Sequence, residues 1–166
     1  FTENQSGVNP HEKMENIDSA QMIISHVTEG TKLAEKYNLP NEIKDFITTH
    51  HGQGKTKYFY VQYKNAHPDE DVDDLLFTYP GPNPFTKEQA ILMMADTVEA
   101  ASRSLPDYTE KSIRELVERL IDGQVADGFF RDCPITFRDI AYAKTVLIEK
   151  LKTIYHTRLS YPELKK

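Results

Sequence analysis

Apolar side chains recur at intervals of three and four residues along most of the chain, which is the spacing that places them on one face of a helix. The clearest case lies between Thr109 and Gly123, where an i, i+3, i+4, i+7, i+8 pattern is unbroken. Thr109 is the predicted N-cap of this helix, and Gly123 is its predicted end. The apolar positions are Ile113, Leu116, Val117, Leu120 and Ile121.

Four more helices are predicted from the same periodicity and from capping residues. Thr86-Lys87-Glu88-Gln89 has the sequence of a capping box, and Thr136 with Asp139 opens the last helix. Asp18 is the predicted N-cap of the first helix, which runs over residues 18–37. The others cover 40–51 with Gly52 as the end, 86–104, and 136 to a point before Tyr161-Pro162. The predicted apolar face of the first helix comprises Met22, Ile23, His26, Val27, Leu33 and Ala34.

Two segments are harder to assign. The aromatic residues of 57–64 (KYFYVQYK) would suit a strand, but no partner strand is evident, so we expect a helix. Residues 67–85 are acidic and then rich in proline and glycine, which predicts a loop because proline lacks the backbone donor that a helix needs. No internal repeat or low-complexity segment interrupts the pattern. We therefore predict one all-α domain over residues 1–166, a helical bundle.

Composition and charge narrow the function. The chain has 166 residues, of which 39% are hydrophobic and 28% charged, as in a globular protein. Its net charge of −6 argues against a nucleic-acid polymer as partner, although metal ions could still supply positive charge for a small phosphorylated ligand. Cys133 is the single cysteine, and no apolar run approaches the roughly 20 residues that cross a bilayer. The chain begins with Phe1 rather than Met, so we expect an excised domain or a processed product.

Three positions could carry metal chemistry, and each also has an ordinary structural interpretation. The doublet His50-His51 could hold metal from two directions, or the helix macrodipole could simply favour histidine at a helix C-terminus. His26 could be a ligand or a hydrogen-bonded core residue. Asp96 lies in an apolar helix, where a buried carboxylate needs a cation; alternatively it faces solvent beside an i, i+4 pair of Glu99 and Arg103.

Taken together, these residues favour the metal interpretation. Three histidines and one aspartate on three predicted helices are the kind of set with which a helical bundle holds metal in its core. The remaining histidines are excluded from the site. We expect His11 and His67 in exposed, turn-like segments and His156 in a structural position late in the last helix.

Several short segments, in this order and spacing, resemble one known family over nearly the whole chain. They are Glu3-Asn4-Gln5, Asn9-Pro10-His11, Ile24-Ser25-His26-Val27, residues 46–52 (FITTHHG), Tyr58-Phe59-Tyr60, Tyr79-Pro80-Gly81-Pro82, residues 95–104 (ADTVEAASRS), and residues 154–158 with Tyr161-Pro162. The family is the cytoplasmic HD domain of the bacterial seven-transmembrane HD proteins, whose members include cyclic di-AMP phosphodiesterases.

The resemblance implies an HD-superfamily helical bundle with a binuclear centre of two divalent transition metals, iron or manganese. It implies that His26, His50 and His51 are ligands, and that Asp96 closes the site as ligand and catalytic residue. One departure is serious: no His-Asp dipeptide occurs in this chain, although that pair names the superfamily. In the family it lies shortly before the Glu3-Asn4-Gln5 segment, so we expect that the chain starts downstream of it. A native protein that has lost the pair is the alternative.

The implied function is hydrolysis of a cyclic dinucleotide, cyclic di-AMP, in the cytoplasmic domain of a bacterial inner-membrane protein. The membrane would be reached only through segments outside this chain. Tyr58, Tyr60 and Tyr79 are candidates for adenine stacking, although core or loop packing is the more common role of such tyrosines. Arg103 is a candidate for a bidentate phosphate contact, and a surface pair with Glu99 explains it at least as well.

Two other functions stay open. One is a non-catalytic helical signalling module that binds a nucleotide or a partner and retains a degenerate metal site. The other is hydrolysis of a different phosphorylated substrate, such as a nucleoside monophosphate or an alarmone. Without an upstream helix we also expect an exposed apolar groove, which would favour a homodimer or aggregation.

Overall fold

The computed structural model describes residues 14–156, and within that range the predicted all-α fold is confirmed. The helices are α1 (Asn16–Lys36), α2 (Asn41–Thr49), α3 (Lys57–Ala66), α4 (Lys87–Ser102), α5 (Glu110–Ala126) and α6 (Phe137–His156), with a short 3-10 helix, η1 (Asp74–Phe77), between α3 and α4. The described residues contain no β-strand beyond one isolated bridge between Lys55 and Thr78. None of the described helices is long and apolar enough to cross a bilayer.

The chain divides into two compact units, Phe1–Pro84 and Phe85–Lys166. In unit 1, α1 packs against α2, α3 and η1. The buried cluster of this unit is small and consists of Ile24, Val27 and Tyr79, with Ile23 packed against it. The prediction that residues 1–166 form a single domain stays a prediction.

The start and the buried face of α1 differ from the prediction. The N-cap is Glu15 rather than Asp18, which lies in the first turn, where a carboxylate favours the positive end of the helix dipole. The buried face is rotated, so Ile24 is only 8% exposed whereas Leu33 is 54% exposed. Val27 and Ala34 of the predicted face are buried, but Met22 points outward and Ala20 is buried, because α1 packs against α2, α3 and η1 along this side.

The other segments of unit 1 follow the prediction closely. Helix α2 ends at Thr49 with His50 as its C-cap, and Gly52 lies just beyond with a φ of 53°. Because only glycine adopts positive φ readily, Gly52 suits this turn. The segment at 57–64 is helical as expected, within α3. The predicted loop at 67–85 is mostly irregular but includes η1.

Unit 2 contains the larger core, to which α4, α5 and α6 all contribute. The predicted capping box of α4 is confirmed, since Thr86 and Gln89 make reciprocal hydrogen bonds. Thr109 caps α5, and Thr136 and Asp139 exchange bonds at the start of α6. The buried residues include Met93, Met94, Val98, Ile113, Val117, Ile121, Ile140, Ile148 and Leu151.

Helix α5 does not end at Gly123, as the sequence suggested, but continues to Ala126. A glycine inside a helix costs only about 1 kcal/mol relative to alanine, so packing of the following turn can offset it. That turn contains Gln124, which is buried and donates from Nε2 to Thr97 Oγ1 at 2.9 Å. Gly128, with a φ of 80°, lies where the chain turns after the helix.

Some predictions lie outside the described residues. These concern the segments Glu3-Asn4-Gln5 and Asn9-Pro10-His11, the residues from Thr157 onward including Tyr161-Pro162, and the side chain of His156.

The start of α6 gives a test of stability. Asp139 pairs with Lys87 (2.8 Å) and accepts two hydrogen bonds from Thr136. These contacts hold the pKa of Asp139 well below the ordinary value of 3.8, and the bond from Lys87 contributes most. A lowered pKa stabilises the fold above the unfolded-state pKa, and the contribution is lost as the pH falls below it. We expect Asp139→Asn to lower the free energy of unfolding at pH 7, and the difference from wild type to vanish from about pH 5 toward about pH 2.

Chemical denaturation across this pH range measures the effect. Asp132→Asn, which removes one exposed carboxylate from the turn before α6, is the matched control and should show no comparable loss at pH 7. A difference between Asp139→Asn and wild type that stays constant with pH would contradict the explanation.

Candidate metal centre

Three histidines of unit 1 form a cluster that could hold a metal ion. His26 lies in the middle of α1, His50 is the C-cap of α2, and His51 follows it. Each offers one ring nitrogen, and these atoms all lie within 4.8 Å of one another. The ring centroids of His50 and His51 are 4.2 Å apart, and that of His26 is 5.2 Å from the first and 5.0 Å from the second. The three predicted histidine ligands are therefore brought together.

A close approach of α1 to α2 places these rings side by side. Gly30 lies one turn after His26, and a Cβ atom built on it would be 3.2 Å from Ile47 Cγ2 on α2. That distance is tighter than most real Cβ contacts, so glycine lets the two helices approach at this point. Ile47 in turn lies three residues before His50, and the helix crossing thus brings the end of α2 beside the middle of α1.

Backbone carbonyls determine the tautomers of two rings. His26 Nδ1 contacts the carbonyl oxygen of Ile23, and His50 Nδ1 contacts that of Ile47 at 2.8 Å. A carbonyl oxygen only accepts hydrogen bonds, so both Nδ1 atoms must carry the proton. In a neutral ring the Nε2 atom then has a lone pair, and the two Nε2 atoms lie 3.1 Å apart.

Two lone pairs at this distance repel each other, so the arrangement needs positive charge beside them. Either a proton on one Nε2 or a metal ion can provide it. Histidine ligands in proteins commonly donate the second ring N–H to a carbonyl while the first nitrogen binds metal, and His26 and His50 have this arrangement. The donor set therefore fits a divalent transition metal, for which imidazole nitrogen is a preferred ligand.

His51 is the most strongly perturbed of the three rings. Burial, together with repulsion from His50 and His26, lowers its pKa from 6.5 to about 3. The ring is therefore neutral at physiological pH, as a metal ligand must be. Tyr79 lies against its face, with ring centroids 4.2 Å apart and planes inclined by 21°.

Asp96 and Arg103 lie in unit 2, on α4 and at its C-cap. Asp96 is half-buried, and its role as closing ligand and catalytic residue stays a prediction. Arg103 makes the surface pair that the sequence allowed, with Nη2 donating to Glu99 Oε1 at 2.8 Å and Nε to the same oxygen at 3.0 Å. Its phosphate contact likewise stays a prediction.

The predicted stacking tyrosines have different environments. Tyr58 is 69% exposed and contacts Phe59 edge-on, whereas Tyr79 is only 8% exposed. Tyr60 contacts Asp74, a bond that raises the tyrosine pKa, and the Lys55 ammonium lies 4.5 Å from the Tyr60 ring centroid. Of the three, Tyr58 has the ring most open to a ligand.

His67, which we excluded from the site, is outside the cluster but is half-buried rather than exposed. Its ring stacks on Tyr63, with centroids 4.3 Å apart.

Sequence reasoning missed the groups that orient the ligands. The carbonyls of Ile23 and Ile47 act through the backbone, so side-chain identity does not reveal them. A signal did exist, because each carbonyl lies three residues before its histidine, one helical turn away. Gly30 was also visible as a glycine inside a helical pattern, which often marks a close packing contact.

Comparison with known proteins finds clear relatives, although no family model matches the chain. The cyclic-di-AMP phosphodiesterase PgpH of Bacillus subtilis is 39% identical over 167 residues, covering 100% of this chain and 23% of that protein. PgpH of Listeria monocytogenes is 39% identical over 164 residues, covering 98% and 23%. An uncharacterized protein of Synechocystis is 33% identical over 168 residues, covering 98% and 21%. The chain thus spans less than a quarter of the length of these relatives.

Solved structures agree with this similarity. The crystal structure of the L. monocytogenes PgpH HD domain has a TM-score of 0.84 and 37% identity, covering 94% of this chain and 73% of that one. The same domain in complex with cyclic-di-AMP has a TM-score of 0.87 and 38% identity, covering 93% and 72%.

The tautomers can be tested directly. In the metal-free chain at neutral pH we expect Nδ1 of both His26 and His50 to be protonated, because each donates to a carbonyl. Addition of zinc should shift the Nε2 resonances of these rings in long-range proton–nitrogen NMR spectra. His67, whose Nδ1 contacts the Tyr63 carbonyl at 3.1 Å, is the matched control. It should show protonated Nδ1 and no response to zinc, and an equal response of all three rings would contradict a defined site.

Proposed function

Because the chain belongs to the family of the PgpH HD domains, we propose that it is the catalytic domain of a metal-dependent phosphodiesterase that hydrolyses cyclic di-AMP. The observation that carries this proposal is the histidine cluster. It combines two rings with carbonyl-bonded Nδ1 atoms and a third ring held neutral by burial. The related domain crystallised with cyclic-di-AMP supports the choice of substrate.

The proposed centre contains two divalent ions, iron or manganese, which suit mixed nitrogen and oxygen ligands. His26, His50 and His51 provide imidazole ligands, and Asp96 provides a carboxylate. Two ions need more ligands than these four, and a His-Asp pair of the kind that names the superfamily would supply them. When bound, such ions activate water as a nucleophile and neutralise charge on the phosphate.

The residues of the chain orient and protect this chemistry. The Ile23 and Ile47 carbonyls keep Nδ1 of His26 and His50 protonated, so that the lone pair on Nε2 remains available to bind metal. The low pKa of His51 means that protons do not compete for this ligand at neutral pH.

Substrate recognition must work within an acidic chain. Cyclic di-AMP carries two phosphate charges, and the net charge of −6 would repel it without bound metal. Tyr58 is the candidate with the most open ring for stacking on adenine. The hydroxyl of Tyr60 and the guanidinium of Arg103 already contact Asp74 and Glu99, respectively.

The same proposal places the domain on the cytoplasmic side of a bacterial inner membrane, as part of a longer protein. Association into a homodimer remains a separate prediction, to be tested by light scattering.

Activity provides the main test. We expect an extended domain, one that includes a His-Asp pair of the kind that names the superfamily, to open cyclic di-AMP to the linear dinucleotide when loaded with manganese or ferrous iron. His51→Ala should reduce turnover roughly 100-fold or more, because a metal ligand is lost. His67→Ala is the matched control and should retain activity, since its ring stacks on Tyr63 outside the cluster.

Chromatography of the nucleotide products measures this reaction. Binding of cyclic di-AMP without turnover in the metal-loaded extended domain would contradict catalysis and favour the non-catalytic signalling module. Turnover of another phosphorylated substrate in place of cyclic di-AMP would contradict the proposed specificity.

Asp96 can be tested separately through metal content. In the extended domain we expect Asp96→Asn to lower bound metal from about two equivalents per chain toward about one, because the closing carboxylate is lost. Glu88→Gln removes an exposed carboxylate from the first turn of the same helix and should not change the stoichiometry. Elemental analysis measures both variants, and an unchanged metal content in Asp96→Asn would remove this residue from the site.

A further inference from the structure

We propose that Tyr79 is a positioning residue that holds the His51 imidazole in its metal-binding orientation. The inference rests on the proposed metal centre and adds a residue that supports it. The two rings are nearly parallel, inclined by 21°, with centroids 4.2 Å apart. Because Tyr79 is only 8% exposed, one face of the His51 ring is covered by a side chain that is itself enclosed.

The three histidines are held by different contacts. His26 and His50 are each oriented by a hydrogen bond to the carbonyl one turn earlier in a helix. His51 follows the C-cap of α2, where the regular helix has ended. Contact with the aromatic face of Tyr79 restricts rotation of the His51 ring.

Tyr79 is held in place by the core of unit 1. It belongs to the same buried cluster as Ile24 and Val27, both on α1. Its ring also meets His26 nearly edge-on, with centroids 6.0 Å apart and an interplanar angle of 74°. One side chain therefore contacts histidines from both α1 and the end of α2.

Backbone bonds tie the segment around Tyr79 to the loop that follows His51. The Tyr79 N–H donates to the Gly54 carbonyl at 2.8 Å, and the Thr56 N–H donates to the Phe77 carbonyl at 2.8 Å. Further along, the Gln53 N–H donates to Asn83 Oδ1 at 2.8 Å. These three bonds connect residues 53–56 with residues 77–83, so the segment that carries Tyr79 is tied to the loop that follows His51.

Gly81 permits the closest part of this contact. Its φ is 72°, and a Cβ atom built on it would lie 2.7 Å from Gln53 Cγ. A larger residue at this position would be strained by the positive φ and would displace the Gln53 side chain.

Stacking also matches the electronic change on metal binding. An imidazole that donates its lone pair to a cation gains positive character, and the face of an aromatic ring attracts positive charge. The phenyl face of Tyr79 thus stabilises the metal-bound form of His51 more than the free ring. According to this proposal Tyr79 orients the metal ligand His51, whereas the exposed ring of Tyr58 remains available for stacking on the substrate.

Cobalt(II) binding to the chain, with Co²⁺ alone as the probe, tests the proposal. Tyr79→Phe keeps the aromatic face, and we expect its cobalt affinity to stay within about twofold of wild type. Tyr79→Leu should weaken binding on the order of 10-fold and change the visible absorption bands, which report ligand geometry. Thermal melting of each variant is measured in parallel.

Tyr63→Leu is the matched control. Tyr63 stacks on His67 with centroids 4.3 Å apart and planes inclined by 25°, but this histidine lies outside the metal cluster. Loss of this tyrosine should therefore leave cobalt affinity and spectrum unchanged. An equal effect of Tyr63→Leu and Tyr79→Leu would mean that both act through general stability, which would overturn the proposal.

Further outcomes separate this inference from the proposed function. Cobalt binding by wild type that His50→Ala does not weaken would overturn the metal centre and the inference with it. Cobalt binding that depends on His50 but is unaffected by Tyr79→Leu would overturn the positioning role alone. Loss of affinity in Tyr79→Phe equal to that in Tyr79→Leu would overturn the stacking explanation.

A measurement on the wild-type chain keeps the test decisive if Tyr79→Leu fails to fold. Protons above an aromatic face are shifted upfield, so the His51 ring protons should resonate upfield in the metal-free protein and remain so in Tyr79→Phe. Ring protons of His51 at averaged, unshifted positions would show that the ring is not held, and the proposal would then be wrong.

Discussion

The candidate site of unit 1 is built around the close approach of the Nε2 atoms of His26 and His50, which lie 3.1 Å apart. Both rings donate Nδ1–H to the backbone, so their lone pairs would repel each other without a proton or a metal ion beside them. Without either, this arrangement would lower the free energy of unfolding. The proposed metal centre would supply that positive charge.

The site and the core of unit 1 share residues, so neither can be understood alone. Tyr79 is part of the small cluster formed with Ile24 and Val27, and it also stacks on His51. Gly30 lets α1 approach Ile47 of α2, which brings the end of that helix to the site. A metal ion held by these histidines would be energetically coupled to folding, because the same contacts would stabilise both. Unit 2 instead has a larger apolar core and conventional helix caps.

Local chemistry determined much of the fold. The capping box at Thr86 and the N-cap at Thr109 were predictable because their hydrogen bonds join residues a few positions apart. The α5 core face followed from periodicity alone, and its residues Ile113, Val117 and Ile121 are fully buried. The histidine ligands were predicted from their residue type together with the family resemblance, since each histidine taken alone also had an ordinary structural interpretation.

The sequence by itself determined which segments are helical and which residues could bind metal, because propensity, capping and ligand chemistry belong to individual residues and their near neighbours. Only the tertiary structure decided which face of α1 is buried and whether α5 continues past Gly123, because packing against other helices outweighs small local preferences. It also decided that His51 is neutral and stacked on Tyr79. His51 and Tyr79 lie 28 positions apart in the chain, so no pattern among neighbouring residues predicts their contact.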